Sequence, residues 1–163
     1  MKIFVCQRSA VSQKTRQVGA THVLSLLDPG SKRPFLHPHT DPNNWRLFHF
    51  EDVLEEHETN SPTREHVAEI LQWGRALPND AVVLVHCEAG VSRSTAAALA
   101  LLVQHHGIDK IDECIQLLLD VRPFSCPNPL ITRFADEQLG CNGELHKKAE
   151  VVANAKILKM INE

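Results

Sequence analysis

Val82-Val83-Leu84-Val85-His86-Cys87-Glu88-Ala89-Gly90-Val91-Ser92-Arg93-Ser94 is the stretch around which the chain is read. Four apolar residues, three of them valine, predict a short strand buried on both faces. The alanine- and leucine-rich run after Arg93, as far as Val103, predicts a helix. Between the two lies a tight turn that starts at Cys87 and ends at Arg93. A thiol acts as a nucleophile in its thiolate form, and a free cysteine, with a pKa of about 8.5, holds little of that form at neutral pH. Positive potential must come from the surroundings. A strand-to-helix turn supplies it, because the unpaired N–H groups of the first helical turn and the helix dipole point into the loop. The backbone amides of Glu88, Ala89, Gly90, Val91, Ser92 and Arg93 can then curl around a tetrahedral dianion, with Gly90 giving the curl its freedom. The planar fork of Arg93 closes the ring on two oxygens, and the Ser94 hydroxyl can donate to the sulfur and ease its departure.

His86-Cys87, five residues, then Arg93-Ser94 resembles the cysteine-dependent protein tyrosine phosphatases, and the short chain is most similar to their dual-specificity branch. The chain supplies its own control for so short a pattern. Six residues after Cys6, Cys114, Cys126 and Cys141 stand Ser12, Asp120, Thr132 and Lys147. Cys87 alone has arginine there, with a strand before it and a helix after it. The competing reading is an inert cysteine at a strand end, the usual state of a buried free thiol.

The 163 residues fit one domain with a core large enough to need no disulfides. A formal net charge of −3 argues against a nucleic-acid or acidic-membrane binder, so anion attraction has to be local. Five cysteines at irregular spacing read as reduced thiols of a cytoplasmic protein. The N-terminal segment turns polar too soon for a signal peptide, and no apolar run approaches membrane-spanning length.

In chain order, strands are expected at 3–6, 21–27 and 45–50, with a polar helix over 11–18 closed by Gly19. Residues 28–44 read as a proline-stiffened loop. His37, His39 and Asp41 within it invite a metal reading, but a solvated loop accounts for them better, and no metal or cofactor is expected. Ser61-Pro62 is expected to open the helix that buries Val67, Ile70, Leu71 and Leu77. Gly107 ends the central helix, and Asp109 is expected to cap the next, with Ile111, Cys114, Ile115 and Leu118 as its apolar stripe. Asn128-Pro129 opens another helix carrying Leu130, Ile131 and Phe134, and Arg122-Pro123 to Asn128-Pro129 is similar to the segment after the active-site helices in the same phosphatase branch. After a break at 140–143, residues 144–163 predict a helix whose Leu145, Val152, Leu158 and Ile161 are loosely spaced for a core face. The expectation is an α/β fold: a single domain, 1–143, with a central, mostly parallel sheet flanked by helices, and a C-terminal helix packed on it or at a subunit interface.

The resemblance implies a proton donor for the leaving oxygen on the loop between the strand and the helix that come before the cysteine strand. That place holds the acidic run 51–58. Asp52, directly after the strand, is the choice; Glu55 and then Glu51 follow, against the alternative of a solvated acidic face. It also implies that His86 orders the loop, its alternative being a hydrogen-bonded core histidine. The implied activity is hydrolysis of phosphotyrosine, and of phosphoserine or phosphothreonine as well, through a cysteinyl-phosphate. A loop interior with one acid and no base argues against polyphosphorylated ligands. The expected partner is a phosphorylated protein or small phosphate ester, with no nucleic acid and no membrane; nothing in the residues fixes an oligomeric state. The alternatives are a rhodanese-like sulfurtransferase and a non-catalytic module that binds phosphorylated partners.

Overall fold

The apolar runs become four strands: β1 (Lys2–Gln7), β2 (His22–Leu27), β3 (Trp45–His49) and β4 (Val82–Cys87). The computed structural model describes residues 1–35, 40–56 and 59–162. The strands pair in the order β1-β4-β2-β3, and every pairing is parallel. β4 and β2, apolar nearly throughout, take the central positions, where helices cover both faces; the edge strands β1 and β3 keep exposed residues. His37, His39, His57 and Glu58 lie outside the described residues, and with them the His37/His39 metal reading. Asp41, the third member of that cluster, caps a turn by accepting a hydrogen bond from the Asn43 amide at 2.8 Å.

Helix α1 (Val11–Val18) lies on one face of the sheet, over a small cluster of Cys6, Val11, Val23, Trp45 and Leu84. The larger core fills the other face. Its axis is α3 (Arg93–His106), which is buried continuously from Arg93 to Val103 because its alanines let neighbours approach from all sides. Around it pack α2 (Arg64–Arg75), α4 (Ile111–Val121) and α5 (Pro129–Leu139). At Gly74 of α2 a methyl group would meet Leu101 Cδ2 of α3 at 2.4 Å, so a side chain here would require the ends of Leu101 and Gln104 to shift. The result is one α/β domain with a parallel sheet between helical layers.

Two helix starts differ from expectation. α2 begins after Thr63, not at Ser61-Pro62: the Thr63 hydroxyl accepts from the His66 amide, and the His66 ring accepts from the Thr63 amide. Ser61 instead donates to the Glu56 carbonyl at 3.0 Å and so fastens the acidic loop. Asp109 does not cap α4; it sits in a single 3₁₀ turn, and α4 starts from Lys110 without a side-chain cap. By contrast, Asn128 caps α5 through the amides of Leu130 and Ile131, with Pro129 in the first turn. Helix α6 (Glu144–Asn162) buries Leu145 and Ala149, and the Asp136 carboxylate of α5 accepts from the amides of Gly143 and His146 at its start. Further along, Val151, Ile157 and Ile161 are exposed.

Candidate active site

Cys87 ends the central strand β4, and Arg93 begins α3, so the loop between them is held at both ends by buried elements. Cys87 is 1% exposed. Its Sγ accepts from the Gly90 amide at 3.2 Å and lies 3.2 Å from the Ser94 hydroxyl. Gly90 has φ +68°, and a Cβ there would stand 2.4 Å from the Cys6 carbonyl carbon and oxygen. Both the backbone conformation and the close approach to β1 therefore exclude a side chain.

Arg122 grips the loop from outside. Its Nε donates to the Gly90 carbonyl at 2.8 Å, and its Nη2 to the Ala89 carbonyl at 3.0 Å. Holding these carbonyls outward leaves the loop free to turn its amides toward the sulfur. The Cys126 amide donates to the Val91 carbonyl at 2.9 Å and secures the next residue in the same way. Glu88, the one acid of the loop, is paired with Arg8 at 3.2 Å, beyond the end of β1.

Arg93 is 3% exposed. Its Nη1 donates to Asp28 Oδ1 and to the Phe50 carbonyl, each at 2.6 Å, while its Nε is buried with no hydrogen-bond partner among the described residues. A buried cationic N–H without an acceptor is costly, of the order of 1–3 kcal/mol or more, and is a natural seat for an anion.

His86 is fully buried one position before the cysteine. The Trp45 indole N–H donates to Ser25 Oγ at 2.7 Å, and the same oxygen lies 2.5 Å from His86 Nε2; because the other ring nitrogen faces a carbonyl, which only accepts, the neutral ring takes the Ser25 hydroxyl proton at Nε2. The remaining ring nitrogen, Nδ1, then carries the proton and faces the Cys87 carbonyl at 3.4 Å. Burial lowers the His86 pKa to about 4, in keeping with this neutral form.

Asp52 follows β3 and reaches the loop. Its Oδ1 accepts from the Ser92 hydroxyl at 2.7 Å and from Asn128 Nδ2 at 2.9 Å, and the same Asn128 amide donates to the Val53 carbonyl at 3.0 Å. The loop is fastened again at Glu56, which pairs with Arg64 and with Arg133. Glu51 turns instead toward Asn60, at 3.4 Å, and Glu55 is exposed. Cys87, Ser94, Arg93, the loop 88–92 and Asp52 thus lie together; Glu55 and Glu51 have no such link to the loop among the described residues.

Several contributors were not read from the sequence. Asp28 falls at the start of the loop expected over 28–44 and Ser25 inside the strand expected over 21–27, while Arg8 belongs to none of the expected elements. A serine inside the run Val23-Leu24-Ser25-Leu26-Leu27 was the one signal available for Ser25, since a hydroxyl in a two-sided core needs a partner. Arg122 and Asn128 lie inside a segment noted for its resemblance, Asn128 as the start of a helix, and neither is assigned there to the site.

Comparison with known proteins agrees with this geometry. The family profile described as "Dual specificity phosphatase, catalytic domain" matches residues 3–136. Dual specificity protein phosphatase 2 of Mus musculus is 28% identical over 125 residues, covering 76% of this chain and 36% of that protein. Dual specificity protein phosphatase 19 of Mus musculus is 42% identical over 50 residues, covering 31% of this chain and 22% of that protein. The chain therefore spans about a third or less of the length of these curated relatives. Among solved structures, human DUSP28 superposes with a TM-score of 0.64 at 19% identity, over 86% of this chain and 89% of that one. DUSP15 gives 0.63 at 21% identity, over 91% and 90%. Human tyrosine phosphatase-like serine/threonine/tyrosine-interacting protein gives 0.65 at 16% identity, over 86% and 92%. At these identities the structural likeness is one of fold, while the profile match spans most of the chain and includes every element around Cys87: this protein belongs to the dual specificity phosphatase catalytic-domain family.

Proposed function

We propose that this chain hydrolyses phosphate monoesters on phosphorylated proteins through a cysteinyl-phosphate, with phosphotyrosine its best small probe. The observation that carries the reading is the buried Nε of Arg93, without a partner among the described residues, at the end of the loop that starts at Cys87, with a carboxylate hydrogen-bonded to the same loop. The equatorial oxygens of the phosphoryl group take the loop amides of 88–93 and the Arg93 guanidinium, which offset the charge that develops in transfer. Cys87 Sγ attacks phosphorus in line, the P–O bond to the substrate breaks, and Asp52 gives its proton to the departing oxygen. Among the described residues Asp52 Oδ2 makes no hydrogen bond, so that oxygen is the one to carry the proton. Water then attacks phosphorus while Asp52 takes its proton, the S–P bond breaks to release inorganic phosphate, and the Ser94 hydroxyl donates to the sulfur as it leaves.

Arg8 neutralises Glu88 rather than adding a free cation to the loop, which supports a singly phosphorylated substrate over a polyphosphorylated one. The test is turnover of p-nitrophenyl phosphate and of phosphopeptides by the unaltered chain, beside thiosulfate as the substrate for sulfur transfer. Phosphate release is expected with the esters and no thiocyanate from thiosulfate and cyanide. Cys87→Ser should abolish release while capturing phosphorylated peptide, and Arg93→Lys should lower kcat by about 10²-fold or more. Capture of phosphopeptide by the unaltered chain with no release would make it a binding module instead.

A further inference from the structure

One corner of the Arg93 guanidinium is tied down, and the edge opposite is not. Nη1 spends its two hydrogens on Asp28 Oδ1 and on the Phe50 carbonyl. These acceptors follow two neighbouring strands, Asp28 after β2 and Phe50 after β3, and the Phe50 amide donates to the Leu27 carbonyl at 2.9 Å, so the pair is built into the sheet. The turn after β2 fixes Asp28 further, because the Ser31 amide donates to the Asp28 carbonyl at 3.0 Å. Nε and Nη2 share the edge away from this anchor, and it is there that a buried N–H, that of Nε, stands without an acceptor among the described residues.

We infer that Asp28 is a positioning residue: with the Phe50 carbonyl it holds the Nη1 corner of Arg93 so that the Nε–Nη2 edge presents a two-pronged seat to a phosphoryl group. The inference rests on the phosphate-binding reading of this site. Two effects of Asp28 oppose each other. As an anchor it orders the fork before the ligand arrives; as an anion it repels that ligand. The Asp28 side chain is 49% exposed, so water screens its charge, whereas a hydrogen bond from a guanidinium that is 3% exposed keeps its directional strength. One acceptor alone would let the guanidinium plane swing about the Nη1–oxygen direction; two acceptors fix it.

The two effects have opposite signs in one experiment, the binding of tungstate measured by calorimetry, with kcat/KM for p-nitrophenyl phosphate and the unfolding midpoint recorded in parallel. Asp28→Ala removes the anchor and the charge together, and should weaken tungstate by about tenfold with little change in midpoint. Asp28→Asn keeps an oxygen for Nη1 without the charge, and should recover that loss in both tungstate affinity and kcat/KM. If Asp28→Ala does not fold, Asp28→Glu takes its place: the charge stays but the carboxylate moves by one methylene, and weaker binding is again expected. Tighter binding in both the alanine and asparagine variants would show that Asp28 acts only as a charge, and affinities equal to that of the unaltered chain would show no role; either overturns the inference. Tungstate binding without ester hydrolysis would sink the catalytic reading alone, and the variants would still decide on Asp28. An unaltered chain that binds no tungstate overturns both.

Discussion

Each residue of the site owes its place to a constraint that a substitution can expose. Asp52 touches the phosphate loop through one carboxylate oxygen, so Asp52→Asn should slow a phosphate ester with a poor leaving group by about 10²-fold and p-nitrophenyl phosphate far less. Equal slowing of both, or none, would move the acid role to Glu55 or remove it. Gly90→Ala forces a Cβ into the Cys6 carbonyl at a left-handed position. It should cost about 1–3 kcal/mol in chemical denaturation and abolish turnover by displacing the loop. Unchanged stability and turnover would mean that the loop and β1 part more easily than their contact suggests. Burial pushes the thiols of Cys6, Cys114 and Cys141 up to about 11, and that of Cys126 upward as well, with the Asp52 charge adding to the effect. Brief treatment with iodoacetate at pH 7 should therefore modify Cys87 first, as read by peptide mass spectrometry. Prior labelling of Cys114 would contradict the proposed reactivity.

Among the elements, the legible parts were those whose signals are local. The helix 11–18 with Gly19 after it, and the Asn128-Pro129 start of α5, follow from capping chemistry written in neighbouring residues. The start of α2, expected at Ser61-Pro62, lies instead after Thr63, and the reciprocal bond with His66 that fixes it depends on a ring nitrogen no propensity encodes. The Cys87-to-Arg93 loop was legible for the same local reason. Contacts such as Arg93 with Asp28, Arg8 with Glu88 and Arg122 with Gly90 join residues 32 to 80 positions apart, and no periodicity says which strand ends will meet. Asn128 shows what such long-range contacts add: it caps α5 with one atom of its side chain and holds Asp52 and Val53 with another. Asn128→Ala should lower stability by about 1 kcal/mol and, in the same variant, reduce turnover of poor leaving groups. A stability loss with turnover intact would separate the cap from the acid loop.

For the molecule as a whole, the buried His86 ties stability to pH. Its folded pKa of about 4 lies below the ordinary 6.5, so the stability it contributes as a neutral ring is fully present above pH 6.5 and is lost as pH falls toward 4. The loss amounts to about 1.4 kcal/mol per pH unit, or about 3 kcal/mol in all. Denaturation of the unaltered chain and of His86→Gln at pH 7, 5.5 and 4.5 should show a shallower acid decline in the variant; parallel declines would place the acid sensitivity in other groups. The parallel sheet and its central helix hold the Cys87 sulfur, the Gly90 amide that donates to it and the Arg93 guanidinium at one turn, and the proposed function rests on that sulfur becoming the phosphoryl carrier. The most direct measurement is peptide mass spectrometry of Asp52→Asn quenched during turnover of p-nitrophenyl phosphate. A phosphoryl group on the peptide containing Cys87, absent when Cys87→Ser is added, is the predicted result; steady turnover with no adduct on that peptide, and with Cys87→Ser still active, would contradict it.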